Sequence, residues 1–179
     1  MAFVTSSAVI NRRTLPKYFG VNIIGIEMNA TKKLFVLLVF ISAEALAAPR
    51  FEDLPAQLYT GKPASVDLKG AKSRRYASEL RLASRQPVNF SGRYILATWG
   101  CGASCVMGAA IDAKTGSVTW LPFTVCCWKL EITEPLEYRS DSHLLIVHGN
   151  LNEKATASEI HYFDFNGRSF APIAPSLTR

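Results

Sequence analysis

Residues 94 to 121 read YILATWGCGASCVMGAAIDAKTGSVTWL. The β-branched and aromatic residues of Tyr94–Trp99 predict a first strand, and Val106–Asp112 predicts a second strand after a loop of glycine and cysteine. Residues Ala113–Gly116 then predict a hairpin turn in which the glycine supplies a positive φ, and Ser117–Leu121 returns as a third strand. The stretch therefore predicts an antiparallel β-meander.

Strand patterns continue towards the C-terminus. Trp128–Thr133 alternates apolar and polar residues, as a half-buried strand does. His143–His148 and Glu159–Phe165 predict two more strands, and a turn at Asn166-Gly167 leads into a last one at Arg168–Ile173.

The segment Leu144–Ile173 repeats the plan of residues 94 to 121. Each segment has an Asp at the end of a strand, Asp112 in the first and Asp164 in the second, where the carboxylate can cap the turn. We therefore predict a mainly β (α+β) fold: one antiparallel β-meander sheet of six or seven strands, curled, split or blade-like.

A basic segment precedes the meander. Residues 71–85 have apolar residues at helical spacing and end before Pro87, so they predict one N-terminal helix packed on the sheet. Before them, Ala64–Leu68 predicts an extended arm or an edge strand. The helix has one acidic residue, Glu79, and five cations: Lys72, Arg74, Arg75, Arg81 and Arg85. This basic patch is either a docking face for an acidic partner, a phosphate or an anionic polymer, or the solvated outer face of the helix.

The N-terminal residues have the layout of a secretory signal peptide. Residues 28–47 comprise a basic start with Lys32 and Lys33, an eight-residue apolar run and an Ala-x-Ala site, which predicts cleavage after Ala47. We expect residues 1–27 to be an over-long start, and residues 48–179 to form a single disulfide-stabilised β-rich domain in the periplasm or outside the cell. The apolar run is too short for a membrane span.

Processing changes the charge of the protein. The 179 residues have a formal net charge of +6 and a pI of about 9.3. Residues 48–179 have 15 basic and 12 acidic residues, a net charge of +3, and the basic helix accounts for the whole excess. The basic pI therefore does not argue for nucleic acid as a partner.

Four cysteines, Cys101, Cys105, Cys126 and Cys127, lie in the exported part, and an even number predicts two disulfides. The turn register places Cys105 near residues 124–126, so cross-strand disulfides are geometrically possible. Adjacent cysteines of one strand point to opposite faces and cannot both reach the same neighbour. The alternative is a local bridge between Cys101 and Cys105, with Cys126 and Cys127 joined to each other or free.

Three motifs follow one another in this part of the chain: Asn89–Tyr94, Trp99–Cys105 and Ala110–Gly116. Together with the basic helix, residues 71–121 resemble a family of small exported bacterial proteins of uncharacterised function that share a Trp-Gly-Cys-Gly-x-x-Cys motif. Relatives often have His before the Tyr, where this chain has Arg93. The resemblance implies a periplasmic or secreted setting and a short disulfide loop at Cys101 and Cys105, and it implies no activity.

Catalytic and metal motifs are incomplete. The cysteine spacing lacks the Cys-x-x-Cys of zinc knuckles and of thiol oxidoreductases. If Ile146 pairs with Phe163, then His148 faces His161 as a two-His metal site or an acid/base pair, or as two hydrogen-bonded histidines at the rim of an apolar face. We expect the carboxylates of Glu131, Glu134 and Glu137 to lie at the solvated surface. We expect no cofactor.

The sequence therefore predicts a non-enzymatic binding or accessory protein. Its candidate binding loop is closed by a disulfide and contains Trp99, Gly100, Gly102, Ala103 and Ser104, and the basic patch is a second surface. Three tryptophans of an exposed type, Trp99, Trp120 and Trp128, favour recognition. The expected partner is an envelope protein or a cell-wall component. The alternatives are an envelope enzyme that uses the His148/His161 pair, and a Cys-based redox factor.

Overall fold

The computed structural model describes residues 46–155 and 159–177. The predicted over-long start and residues 28–45 of the predicted signal peptide lie outside the described residues. The last two residues of that signal, Leu46–Ala47, form a short strand that pairs with Ser176–Leu177. The predicted cleavage after Ala47 would remove one strand of this pair.

The described residues contain a 3-10 turn at Phe51–Asp53, two short α-helices and eleven strands, and all strand pairs are antiparallel. The helices are α1 (Ala71–Arg75) and α2 (Ala77–Ala83). The strands are β1 (Leu46–Ala47), β2 (Tyr94–Gly102), β3 (Cys105–Asp112), β4 (Val118–Trp120), β5 (Val125–Cys126), β6 (Leu136–Tyr138), β7 (Leu144–His148), β8 (Asn150–Leu151), β9 (Ile160–Phe165), β10 (Phe170–Ile173) and β11 (Ser176–Leu177).

The first large sheet is built on the β2–β3 hairpin. Its register runs from Tyr94 opposite Asp112 to Gly102 opposite Cys105. The second edge of β3 pairs with β4 and then with β5, and β8 follows β5. Gly116 has a φ of 78° in the turn before β4, as predicted, and an added Cβ there would lie 1.9 Å from the carbonyl oxygen of Ser65. The predicted meander is therefore confirmed.

The second large sheet has the order β10-β9-β7-β6. Its central pair places Leu145 opposite Phe163, and both side chains are buried. The mainly β, antiparallel prediction is confirmed, and of the forms that we considered the strands adopt the split one, over two sheets.

Alternation along the strands produces two apolar clusters. One face of the hairpin, with Leu96 and Ala110, packs in a cluster with Leu145, Phe163 and Phe165 of the second sheet. The opposite face packs in a second cluster with Leu80 of α2; its other buried residues are Ile95, Ala97, Ala109, Ile111 and Ala113. The hairpin is thus covered on both faces, except near its Cys101–Cys105 end.

Two local predictions were wrong in detail. Trp128–Thr133 is not a strand, because Leu130 is fully exposed in a turn and the strand forms later, at β6. The predicted helix 71–85 is divided at Tyr76, which has a φ of −108° and ψ of 32°, and it ends at Ala83. Of the two forms predicted for Ala64–Leu68, the extended arm is present, and the N–H of Ala64 donates to the Ala113 carbonyl (2.8 Å).

Candidate functional site

The predicted binding loop is the exposed end of the β2–β3 hairpin. The disulfide joins Cys101 to Cys105 across a Cα–Cα distance of 5.1 Å. The register shifts between Gly100 and Gly102, and Ser104 has a φ of 51°. Residues 100–104 are all exposed, so the bridge fixes an accessible loop. We refer to residues 100–105 as the hairpin tip.

An aromatic cluster lies directly below the hairpin tip. The ring centroids of Trp99 and Trp120 lie 5.8 Å apart in an edge-to-face arrangement. The ring of Tyr76, at the break between α1 and α2, lies 5.4 Å from Trp99 and 5.6 Å from Trp120. Trp99 and Trp120 are half-buried, as is Trp128 elsewhere, so the expectation of exposed tryptophans was wrong. The reason is that the helices cover this face of the sheet.

Cations of the basic patch lie on these rings. The Lys72 Nζ is 4.2 Å from the Trp120 centroid, and the Arg75 Cζ is 5.7 Å from the Tyr76 centroid. We call these five residues, Lys72, Arg75, Tyr76, Trp99 and Trp120, the aromatic–basic surface. All five predicted cations of the helical segment are exposed, and in the described part of the chain none of them has an ion-pair partner.

One polar atom of this surface lacks a hydrogen bond. The indole N–H of Trp99 is buried and has no partner among the residues that the structure describes. A buried donor without an acceptor costs about 1–3 kcal/mol. An acceptor on a ligand that displaced the covering side chains would recover this energy.

The cysteines form one bridge rather than two. Cys101 and Cys105 are joined, whereas Cys126 is a buried thiol and Cys127 an exposed one. Cys105 lies opposite Cys126 across β3 and β5, as the turn register predicted. Cys127 leaves the strand with a φ of 58°. The prediction of two disulfides was therefore wrong, and the local pairing is the one present.

The two-histidine site is not formed. Ile146 pairs with Tyr162, not with Phe163, so His148 lies opposite Ile160 and the side chains of His148 and His161 point to opposite faces. The buried contact of Leu145 with Phe163 sets this register. The His148 Nε2 lies 2.5 Å from the Glu137 Oε1, and the His161 Nε2 donates to the Gly149 carbonyl (3.1 Å).

Carboxylates and metal ligands do not converge either. Glu131, Glu134 and Glu137 are exposed, as predicted. Within residues 46–155 and 159–177 there is no group of three His, Cys, Asp or Glu side chains that could hold a metal ion.

A large cavity lies beside these histidines, away from the hairpin tip. It has a volume of about 930 Å³, and both residues of the Lys129–Glu159 ion pair (3.2 Å) line it. Its walls are mostly apolar and include Trp128, Leu151, Phe163 and Pro172. The sequence did not indicate this cavity.

A Ser–His pair also escaped the sequence analysis. The Ser91 Oγ lies 2.6 Å from the His143 Nδ1, in a pocket of about 380 Å³ that Arg93 also lines. The pair resembles a nucleophile with its base. The N–H of Ser91 donates to the carbonyl oxygens of residues 139 and 142, and the N–H of Gly92 donates to that of residue 140. Neither amide is therefore free to hold an oxyanion. The Ser91–His143 contact instead joins two loops.

Arg93 is held by its own partners in that pocket. Its Nη2 lies 3.1 Å from the Asp112 Oδ2 and donates to the Tyr94 hydroxyl (3.2 Å). The hydrogen bond with Tyr94, opposed by partial desolvation and assisted by the charge of Asp112, raises the pKa of Arg93 above its ordinary value. The guanidinium therefore stays charged and serves to join β2 to the end of β3.

No known protein family, curated protein or solved structure matches this chain. Among the described residues, no helix is long and apolar enough to cross a lipid bilayer.

Proposed function

We propose that the chain is an exported, non-enzymatic binding protein that recognises an acidic polymer of the cell wall through the aromatic–basic surface and the hairpin tip. One observation carries this proposal: Tyr76 joins the two surfaces that the sequence indicated separately. Its ring contacts Trp99 of the hairpin, and the Arg75 guanidinium lies over it. Loop, rings and cations are thereby parts of one surface.

The charge distribution supports a polymer rather than a single anion. The exposed cations are distributed over α1, α2 and the turn that follows, from Lys72 to Arg85. Several separate charges match repeated carboxylates or phosphates, whereas one phosphate needs several donors at one point. Half-buried aromatic rings between the cations supply apolar area for the faces of sugar rings.

Export is part of the proposal. The layout of residues 28–47 and the disulfide at the hairpin tip both support an oxidising compartment. A loop that is closed by a bridge loses less conformational entropy on binding than an open loop does. Reduction of the bridge is therefore expected to weaken binding even where the aromatic–basic surface is intact.

The test is co-sedimentation of the processed protein with the insoluble cell-wall fraction. Lys72→Gln and Arg75→Gln are each expected to weaken binding by about 2- to 5-fold, the upper part of the range for one exposed ion pair with an anionic ligand. At about 1 M salt, where the Debye length is about 3 Å, most of the charge-dependent binding should be lost.

Lys114→Gln is the matched control, because Lys114 is exposed at the opposite end of β3 and the substitution removes the same charge. An equal loss in Lys114→Gln would show that net charge alone drives binding. Undiminished binding at high salt, or in both Lys72→Gln and Arg75→Gln, would contradict the proposed surface.

A further inference from the structure

The four cysteines lie together at one end of the first sheet. Cys101 and Cys105 are bridged, and Cys105 lies directly opposite Cys126 on the neighbouring strand. Directly opposed residues of an antiparallel pair project to the same face, with Cβ atoms about 4.5–5.5 Å apart. Cys127 follows Cys126 directly in the chain. The disulfide and the Cys126 thiol therefore lie on neighbouring strands at directly opposed positions.

We propose that this cluster is a thiol–disulfide exchange centre, in which Cys105 alternates between Cys101 and Cys126. The Cys126 thiol loses its proton to solvent, and its sulfur attacks the Cys105 Sγ. The Cys105–Cys126 bond forms as the Cys101–Cys105 bond breaks, and the Cys101 thiolate that leaves takes up a proton. The reaction exchanges one disulfide for another, so it needs no external oxidant or reductant.

The backbone around Cys126 is held in place for this attack. β5 is paired on both edges, with Cys126 opposite Asn150 of β8 as well as opposite Cys105. Gly149 has a φ of 114°, and an added Cβ there would lie 2.4 Å from the Cys126 carbonyl oxygen. This close approach fixes the end of β5, so that Cys126 is presented to β3 in a single register.

The product differs from the starting state in the loop that it closes. A bridge from Cys105 to Cys126 closes a loop of about 22 residues instead of about 5, which in the chain-entropy account stabilises the folded chain against unfolding by roughly tenfold more. The exchange also opens the hairpin tip, because Cys101 is then no longer tied to Cys105. The two states therefore present a closed and an open tip.

Protonation of Cys126 sets the rate. The hydrogen bond with the Cys127 thiol, together with desolvation and the negative charge of Glu153, raises the pKa of Cys126 to about 11. Since the thiolate is the attacking species, the rate should rise about tenfold per pH unit below that pKa. Exchange is therefore slow at neutral pH, and the bridge between Cys101 and Cys105 persists.

Trypsin provides a direct readout. Cleavage after Arg93, Lys114 and Lys129 places Cys101 and Cys105 in peptide 94–114, and Cys126 and Cys127 in peptide 115–129. The processed protein is incubated at pH 7, 8 and 9, quenched with acid, alkylated in denaturant and digested without reductant. We expect a disulfide-linked pair of these peptides that accumulates about tenfold faster per pH unit. An internal bridge in peptide 94–114 at every pH and time would overturn the proposal.

Single substitutions identify the attacking sulfur. Cys126→Ser should abolish the linked peptides, whereas Cys127→Ser, at an exposed position, is the matched control and should retain them. Cys101→Ala leaves Cys105 as a thiol, and oxidation of this variant with glutathione disulfide should join Cys105 to Cys126. Linked peptides in Cys126→Ser, or no Cys105–Cys126 bridge in oxidised Cys101→Ala, would each contradict the mechanism. This readout uses no ligand, so its failure is separate from failure of the proposed binding function.

Discussion

The two meanders of the molecule, β2–β3–β4 and β7–β9–β10, follow the same plan but obtain their registers differently. In the first, two residues separate β2 from β3, and a loop of this length permits only one register. In the second, β8 lies between β7 and β9, so eleven residues separate the paired strands. There the burial of Leu145 against Phe163 selects the register. A short loop thus fixes pairing locally, whereas a long one leaves it to the core.

The turns that close the two meanders also differ. The Asp112 Oδ1 accepts the N–H of Lys114 (2.8 Å), which is the predicted capping role. Asp164 does not cap the second turn, because it lies within β9 opposite Ala171. The Asn166 Oδ1 accepts the N–H groups of Arg168 and Ser169 there, both at 2.9 Å. The repeat in the sequence therefore corresponds to a repeat in strand topology, but different residues cap the two turns.

The largest expected effect is in the core of the second meander. Phe165 is fully buried, and its ring centroid lies 4.5 Å from that of Phe170, 4.7 Å from Tyr94 and 5.2 Å from Phe90. Phe165→Ala should reduce the free energy of unfolding by about 3–5 kcal/mol, as measured by urea denaturation of the processed protein. The fully exposed Leu130 supplies the control, since Leu130→Ala should change it by less than about 0.5 kcal/mol. A smaller loss in Phe165→Ala than in either turn variant below would refute the role given to packing.

A smaller effect is expected at the turn of the first meander. The Asp112 side chain is 4% exposed, accepts the Lys114 N–H and pairs with Arg93, whose side chain is 44% exposed. Asp112→Ala removes both contacts and should cost about 2 kcal/mol in the same denaturation experiment, because the freed guanidinium remains partly hydrated. Asp112→Asn retains an acceptor for Lys114 and should lose only the ion pair. If both variants lost the same free energy, the capping bond would contribute nothing.

The sequence was sufficient for the parts of the fold that depend on near neighbours. The β2–β3–β4 meander, the Gly116 turn and the pairing of Cys105 near residue 126 all follow from short loops and alternation. The strand predicted at Trp128–Thr133 failed because alternation indicates a strand only where one face has something to pack on. Leu130 has no such contact, and it is fully exposed.

The candidate site was predictable as two pieces and not as a whole. Composition indicated the cations, and the cysteine spacing indicated the loop. Their junction depends on Tyr76, a residue of the predicted helix that the structure places between Trp99 and Trp120. The contact of Ser91 with His143 joins residues 52 positions apart in different elements, so no local pattern in the sequence points to it.

The smallest effect is expected at the turn of the second meander. Asn166 is exposed, and Asn166→Ala removes a side-chain acceptor from two backbone N–H groups that water can then solvate. The cost should be about 1 kcal/mol, the net value of ordinary hydrogen bonds, and therefore less than that of Asp112→Ala. Asn166→Asp preserves the accepting oxygen and should retain most of the stability. Equal losses for alanine and aspartate would mean that the Asn166 Nδ2, which donates to the Ser169 Oγ (3.1 Å), holds this turn instead. Because only four residues separate β9 from β10, the loop length sets their pairing, and the Asn166 side chain adds stability without choosing the register.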